Sequence, residues 1–160
     1  MNNNLHFVWS GGGALLHELC SPIDCVYVEK TLHDNLFSIV LCRSDGVGLR
    51  IQSQMHDVAE RREVGVLEFS LLSSCITLGQ SVRLPSFVNG SIRIFKWVIN
   101  ESGVSAESGI TLEARDGQQI TIIAGASPYS LAVKGLPLMS FVFEPEYPLE
   151  SYLRVQMTLM

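Results

Sequence analysis

The chain has 160 residues, a formal charge of −5 from 16 acidic and 11 basic side chains, and 47% hydrophobic against 17% charged residues. That length reads as one domain over 1–160, burying roughly two thirds of the unfolded surface without help from a metal or staple. The basic residues form no run, which argues against nucleic acid as a partner, and the apolar balance implies either a well-covered core or a sticky surface used for association, with a homo-oligomer or a protein partner expected on the second reading.

The first residues, MNNNLHFVWSGGG, lack a positive segment ahead of a sustained apolar run, and no apolar stretch near 18 residues follows. The expectation is a cytoplasmic protein with no membrane segment. Cys20, Cys25, Cys42 and Cys75 are then expected as free thiols.

Residues 9–20, WSGGGALLHELC, are the first with chemical promise. A phosphate loop needs Gly-Lys-Ser/Thr at its end, and here Ala14-Leu15-Leu16 follows Gly13. An oxyanion loop of the esterase kind needs a Gly-x-Ser-x-Gly elbow, and Gly125-Ala126-Ser127-Pro128-Tyr129 lacks the final glycine. His17, Glu18, Cys20, Asp24 and Cys25 have no zinc-like spacing, so no metal and no cofactor is expected. Gly11, Gly12 and Gly13 read as a connection into a short helix over 13–20, with positive φ easing the reversal. A small-molecule pocket built on these glycines and His17 is the rival reading.

Further along, CVYVEK at 25–30 reads as a strand, and Asp45-Gly46 between apolar runs marks a hairpin over 39–51. MHDVAERRE at 55–63 suggests a second short helix. Strands follow at 64–72 and 76–84, and Asn89-Gly90 marks another hairpin leading into 92–99. A third turn, Asp116-Gly117, makes a hairpin of 110–122. In register, IVLCRSDGVGLRI and ITLEARDGQQITI share five of thirteen residues, and 110 is 71 after 39 as 122 is 71 after 51. Either two hairpins obey the same alternation, or the chain carries a duplication whose halves pack about a pseudo-two-fold axis. Alternation places Ile39, Leu41, Leu49, Ile51, Ile110, Leu112, Ile120 and Ile122 on the buried faces.

Strand patterns recur at 129–133 and 138–143. A loop carrying Glu144, Glu146, Tyr147 and Glu150 among prolines is a candidate partner-binding surface, since tyrosine supplies contact area at little entropic cost. LRVQMTL at 153–159 alternates as a strand. The elements together predict a mainly β protein, an antiparallel sandwich or partly open barrel with one or two short helices. His6, His17, His33 and His56 are spread along the chain, so a catalytic pair would have to be assembled by the fold. The function expected is protein interaction without catalysis, of which an acidic partner-masking antidote is one form. The alternative is a small enzyme or ligand binder.

Overall fold

The computed structural model describes residues 4–31, 35–59, 62–75, 80–101, 103–137 and 141–158, and among them twelve strands, one α-helix and two 3-10 turns order the chain. In chain order these are β1 (Asn4–Leu5), β2 (Val8–Trp9), α1 (Leu15–Cys20), β3 (Ile23–Lys30), β4 (Leu36–Arg43), β5 (Gly48–Ala59), β6 (Arg62–Leu72), β7 (Gln80–Arg83), β8 (Arg93–Glu101), β9 (Val104–Glu113), β10 (Gln119–Ala124), β11 (Leu131–Lys134) and β12 (Tyr152–Met157). The 3-10 turns, Pro85–Phe87 and Leu149–Ser151, precede β8 and β12.

Two sheets form a sandwich. One runs β11-β10-β9-β8-β12, with β1 added parallel to β9, and the other runs β2-β6-β5-β4-β3-β7. Setting aside the two-residue strands β1 and β2, each sheet is an antiparallel meander of four strands plus a fifth that returns to pair with the first. The orders β6-β5-β4-β3-β7 and β11-β10-β9-β8-β12 are the same path walked twice.

The repeated sequence lies at matching places in that path. Ile39 faces Ile51 and Leu41 faces Leu49 across β4 and β5, while Ile110 faces Ile122 and Leu112 faces Ile120 across β9 and β10. The turns match in detail. Asp45 accepts the Val47 amide and Asp116 the Gln118 amide, each at 3.0 Å, with Gly46 at φ +88° and Gly117 at φ +92°. A type of turn that needs positive φ is met by glycine at no steric cost. Packing follows the same exchange, since β6 lies on β9 and β11 lies on β4, as a two-fold axis between the halves requires.

The eight residues expected on the buried faces each expose 1% or less of their surface and sit in the main core between the sheets. A smaller cluster on the far side of the first sheet holds Val58, Val64, Val66, Ile99, Val104, Ala106, Ile123 and Tyr152. Strand β6 serves both. Leu67 and Phe69 point into the main core, and Val64 and Val66, of opposite parity, into the smaller one.

Four expectations are corrected. Residues 55–63 are not helical, because Met55, His56 and Asp57 pair with Gly65, Val64 and Glu63 in a long β5–β6 hairpin. Asn89-Gly90 turns the chain from one sheet to the other instead of joining paired strands, since β7 pairs with β3 and β8 with β9 and β12. Residues 141–143 are irregular, and 138–140 lie outside the described residues, as do 76–79. Lastly, Cys42 and Cys75 are joined by a disulfide with Cα atoms 6.0 Å apart, leaving Cys20 and Cys25 free.

The bond ties the segment after β6 to the β4–β5 turn, where the Cys75 amide also donates to the Gly46 carbonyl. Burial pushes the Cys20 and Cys25 thiols up from their ordinary range, so both stay protonated at neutral pH. Under denaturing, non-reducing conditions two thiols per chain should react, rising to four after reduction. A loop of 33 residues closed by the bond should be worth roughly 3–4 kcal/mol of stability, measurable as the loss in the Cys42→Ser/Cys75→Ser variant. Four reactive thiols without reduction would refute the pairing.

Candidate functional site

The glycine run is shaped by Trp9. A Cβ on Gly11 would fall within 2.7 Å of three atoms of the Trp9 ring, and the indole N–H donates to the Gly13 carbonyl at 2.7 Å. None of the three glycines has positive φ, so the stretch is glycine-rich at Gly11 because an indole covers it and not because the chain reverses there. Gly12 and Gly13 have open space beside them. His17 is exposed on a helix of six residues.

The other histidines are apart. His6 stands 3.4 Å from Glu107, His56 meets Gln54 at 3.2 Å on β5, and His33 lies outside the described residues. Among the described residues, no group of three His, Cys, Asp or Glu is placed to hold a metal ion.

The acidic loop divides. Glu144 is exposed, whereas Glu146 and Tyr147 turn inward and are half-buried. Both Glu146 carboxylate oxygens accept the Gly65 amide at 3.2 Å, the Glu146 amide donates to the Ala124 carbonyl, and the Ser108 hydroxyl donates to the Gly65 carbonyl at 2.6 Å. Glu146 therefore bridges the two sheets. The Tyr147 amide donates to the Tyr152 hydroxyl at 3.2 Å, and Tyr152 stands edge-on to both Tyr147 and Trp97. This cluster anchors the segment that leads into β12.

Strand β12 is where sequence and surroundings disagree. It is the terminal strand of its sheet, paired with β8 from Tyr152 opposite Ile99 to Met157 opposite Ile94. Its even residues face one way: Tyr152 is buried in the smaller cluster and the Arg154 guanidinium lies 3.9 Å from the Phe95 ring centroid. On the odd face Met157 packs against the main core, but Val155 and Leu153 carry the same apolar stripe into solvent, 41% and 57% exposed. The matching edge strand of the other sheet, β7, is four residues long and buries its Val82. A short edge is a usual protection against strand addition, and β12 lacks it. The alternation of 153–159 signals a strand but carries nothing about its place at an edge. Compared with protein-family models, characterised proteins and solved structures, the chain matches none of them.

Glu146 makes a pH-dependent contribution with a defined sign. Burial raises its pKa, and the Gly65 amide and Arg62 offset that only in part. A carboxyl with a raised folded pKa contributes stability below its unfolded pKa, near 4.3, which is lost as pH rises through the folded value. Glu146→Gln keeps an acceptor for Gly65 and removes the charge, so it should melt at or above the wild-type temperature at pH 7, with the advantage shrinking toward pH 4. Glu146→Ala leaves the Gly65 amide without its acceptor and should cost about 1–3 kcal/mol. A penalty for Glu146→Gln that is larger at pH 7 than at pH 4 would show instead that the ionised form is the one the fold prefers.

Proposed function

We propose that this is a binding protein that works by association, and that its β12 edge takes a strand from a second copy of the chain. The observation that carries the reading is the exposed apolar stripe of Leu153 and Val155 on a strand edge that pairs with no other strand among the described residues. Unpaired edges with apolar side chains are templates for strand addition. An acidic net charge of −5 keeps such a protein soluble while it associates.

The residues of β12 favour one register of antiparallel self-pairing. With Arg154 opposite its own copy, two like charges meet, which is destabilising. Shifted so that Val155 lies on the two-fold axis, Leu153 faces Met157 of the second copy and Arg154 faces Gln156. Every pair on one face is then apolar, and no like charges oppose. A C2 dimer of this kind is isologous, and it would join two copies of the first sheet into one continuous sheet. The cytoplasmic location expected from the sequence stands as a separate proposal, against which the Cys42–Cys75 bond weighs, because such bonds persist in oxidising compartments.

Sedimentation velocity over a concentration series should show a reversible dimer for the wild type and a monomer for Val155→Lys, with the same melting temperature at concentrations low enough for the wild type to be monomeric too. Val155→Cys should cross-link to a covalent dimer on mild oxidation, since residues facing each other across an antiparallel pair lie about 4.5–5.5 Å apart at Cα. Leu153→Cys should not. A wild type that stays monomeric throughout, or a Val155→Lys dimer as tight as the wild type, would overturn the reading.

A further inference from the structure

The face of the first sheet turned away from the main core carries a trough of about 270 Å³ between the strands and the segment that leads to β12. Trp97 of β8, Thr111 of β9 and Thr121 of β10 line it from the sheet, Phe143 lines it from that segment, and Lys134 and Arg154 stand on β11 and β12. It lies just below the roughly 300–1,000 Å³ typical of ligand pockets, a size for a small ligand.

Its polar groups are organised before any ligand arrives. The Trp97 indole N–H donates to the Thr111 hydroxyl at 2.7 Å, and the Thr111 and Thr121 hydroxyls lie 2.8 Å apart. Thr111 is buried and already accepts from the indole, so its one proton is best used on Thr121. That leaves the Thr121 proton free to donate into the trough.

The charge of the lining is the second feature. The chain as a whole is acidic, yet no carboxylate lines the trough, and both ionisable residues that do are cations. Among the described residues neither Lys134 nor Arg154 forms an ion pair with a carboxylate. Each lies over a ring instead: the Lys134 ammonium is 5.8 Å from the Phe143 centroid and the Arg154 guanidinium 3.9 Å from the Phe95 centroid. Arg93, on the same face, shows the contrast, with its guanidinium 2.7 Å from Glu113. Stacking on a ring positions a cation without neutralising it.

The two cations stand on opposite borders of the sheet. Four strand steps separate β11 from β12, a backbone distance of roughly 19 Å at about 4.8 Å per step, and both long side chains lean inward to line one trough. From this placement we infer that the trough binds a small elongated dianion with an acidic group at each end of a flat apolar body, such as an aromatic dicarboxylate. Each cation holds one acid group, Trp97 and Phe143 flank the body, and the Thr121 hydroxyl donates to a carboxylate oxygen. Two like charges set apart select a ligand carrying two opposite ones, because a monoanion leaves one cation unmatched.

The test uses the full chain and four probes: terephthalate, the longer naphthalene-2,6-dicarboxylate, benzoate with one acid group, and terephthalamide with none. Calorimetry gives affinities, and the two indole N–H resonances in an NMR titration locate the site. At least one dicarboxylate should bind saturably and shift the Trp97 resonance while leaving that of Trp9 in place. Benzoate and terephthalamide should bind at least about tenfold more weakly. Lys134→Gln and Arg154→Gln should each weaken the dicarboxylate about tenfold or more without lowering the melting temperature. Lys134 is four strands from the β12 edge, so its variant reads the trough independently of dimer formation. The inference is overturned if neither dicarboxylate saturates, if terephthalamide binds as well as the diacid, or if Lys134→Gln binds like the wild type.

Discussion

The two sheets meet as they do because position 65 has no side chain. A Cβ there would lie 2.6 Å from the Cβ of Ala124, too close for any real contact, and 3.0 Å from the Ser53 hydroxyl, which would have to give way by a few tenths of an ångström. Only glycine lets β6 pass that near to the end of β10. The close passage also takes both backbone groups of Gly65 to side chains of the other half, its amide to Glu146 and its carbonyl to Ser108. With those two groups satisfied, β6 can run from the main core into the smaller one and put opposite faces into each.

That crossing is also where the internal symmetry breaks. Strands β5 and β6 run 12 and 11 residues, whereas their counterparts β10 and β11 have 6 and 4. The long hairpin reaches past the sandwich and lays Val58, Val64 and Val66 on the far side of the first sheet. The second half has no such extension, and the segment from Phe141 to Ser151 occupies part of the same face before β12 begins. What neither the hairpin nor that segment covers is left as the trough and the exposed end of β12. Two copies of one topology leave one face incompletely covered because they differ in strand length.

The central hairpins were legible in the sequence because several independent signals agreed on them: Asp-Gly at the turn, alternation on both arms, and a matching copy 71 residues on. Where signals conflicted, the reading failed for physical reasons. His56, Asp57 and the charged residues near them have the composition of an exposed helix, and the long-range pairing with β6 overrides that local preference. Asn89-Gly90 has hairpin chemistry, with Gly90 at φ +85°, but a Cβ there would meet the Cys20 carbonyl at 2.2 Å, so the turn is fitted against α1 and the chain changes sheets. The Cys42–Cys75 contact spans most of two hairpins and has no local signature. The trough was invisible for a related cause: Trp97, Thr111, Thr121, Lys134 and Arg154 come from five strands, and no window of sequence contains more than one or two of them.

Because the five main strands of each sheet come from one stretch of chain, with only the two-residue β1 reaching the first sheet from elsewhere, the order of synthesis separates the two layers in time. The β3–β7 sheet has all its strands once residue 83 has emerged, while the residues that cover its apolar face, through Val133 of β11, follow about 50 positions later. At about 5–20 residues per second the interval is roughly 3–10 s. Throughout it Ile39, Leu41, Leu49 and Ile51 present a flat apolar surface with nothing opposite. A nascent chain in that state is a substrate for holding chaperones, and a neighbouring nascent chain at the same stage offers it the layer it lacks, so polysome spacing becomes a determinant of how cleanly the sandwich assembles.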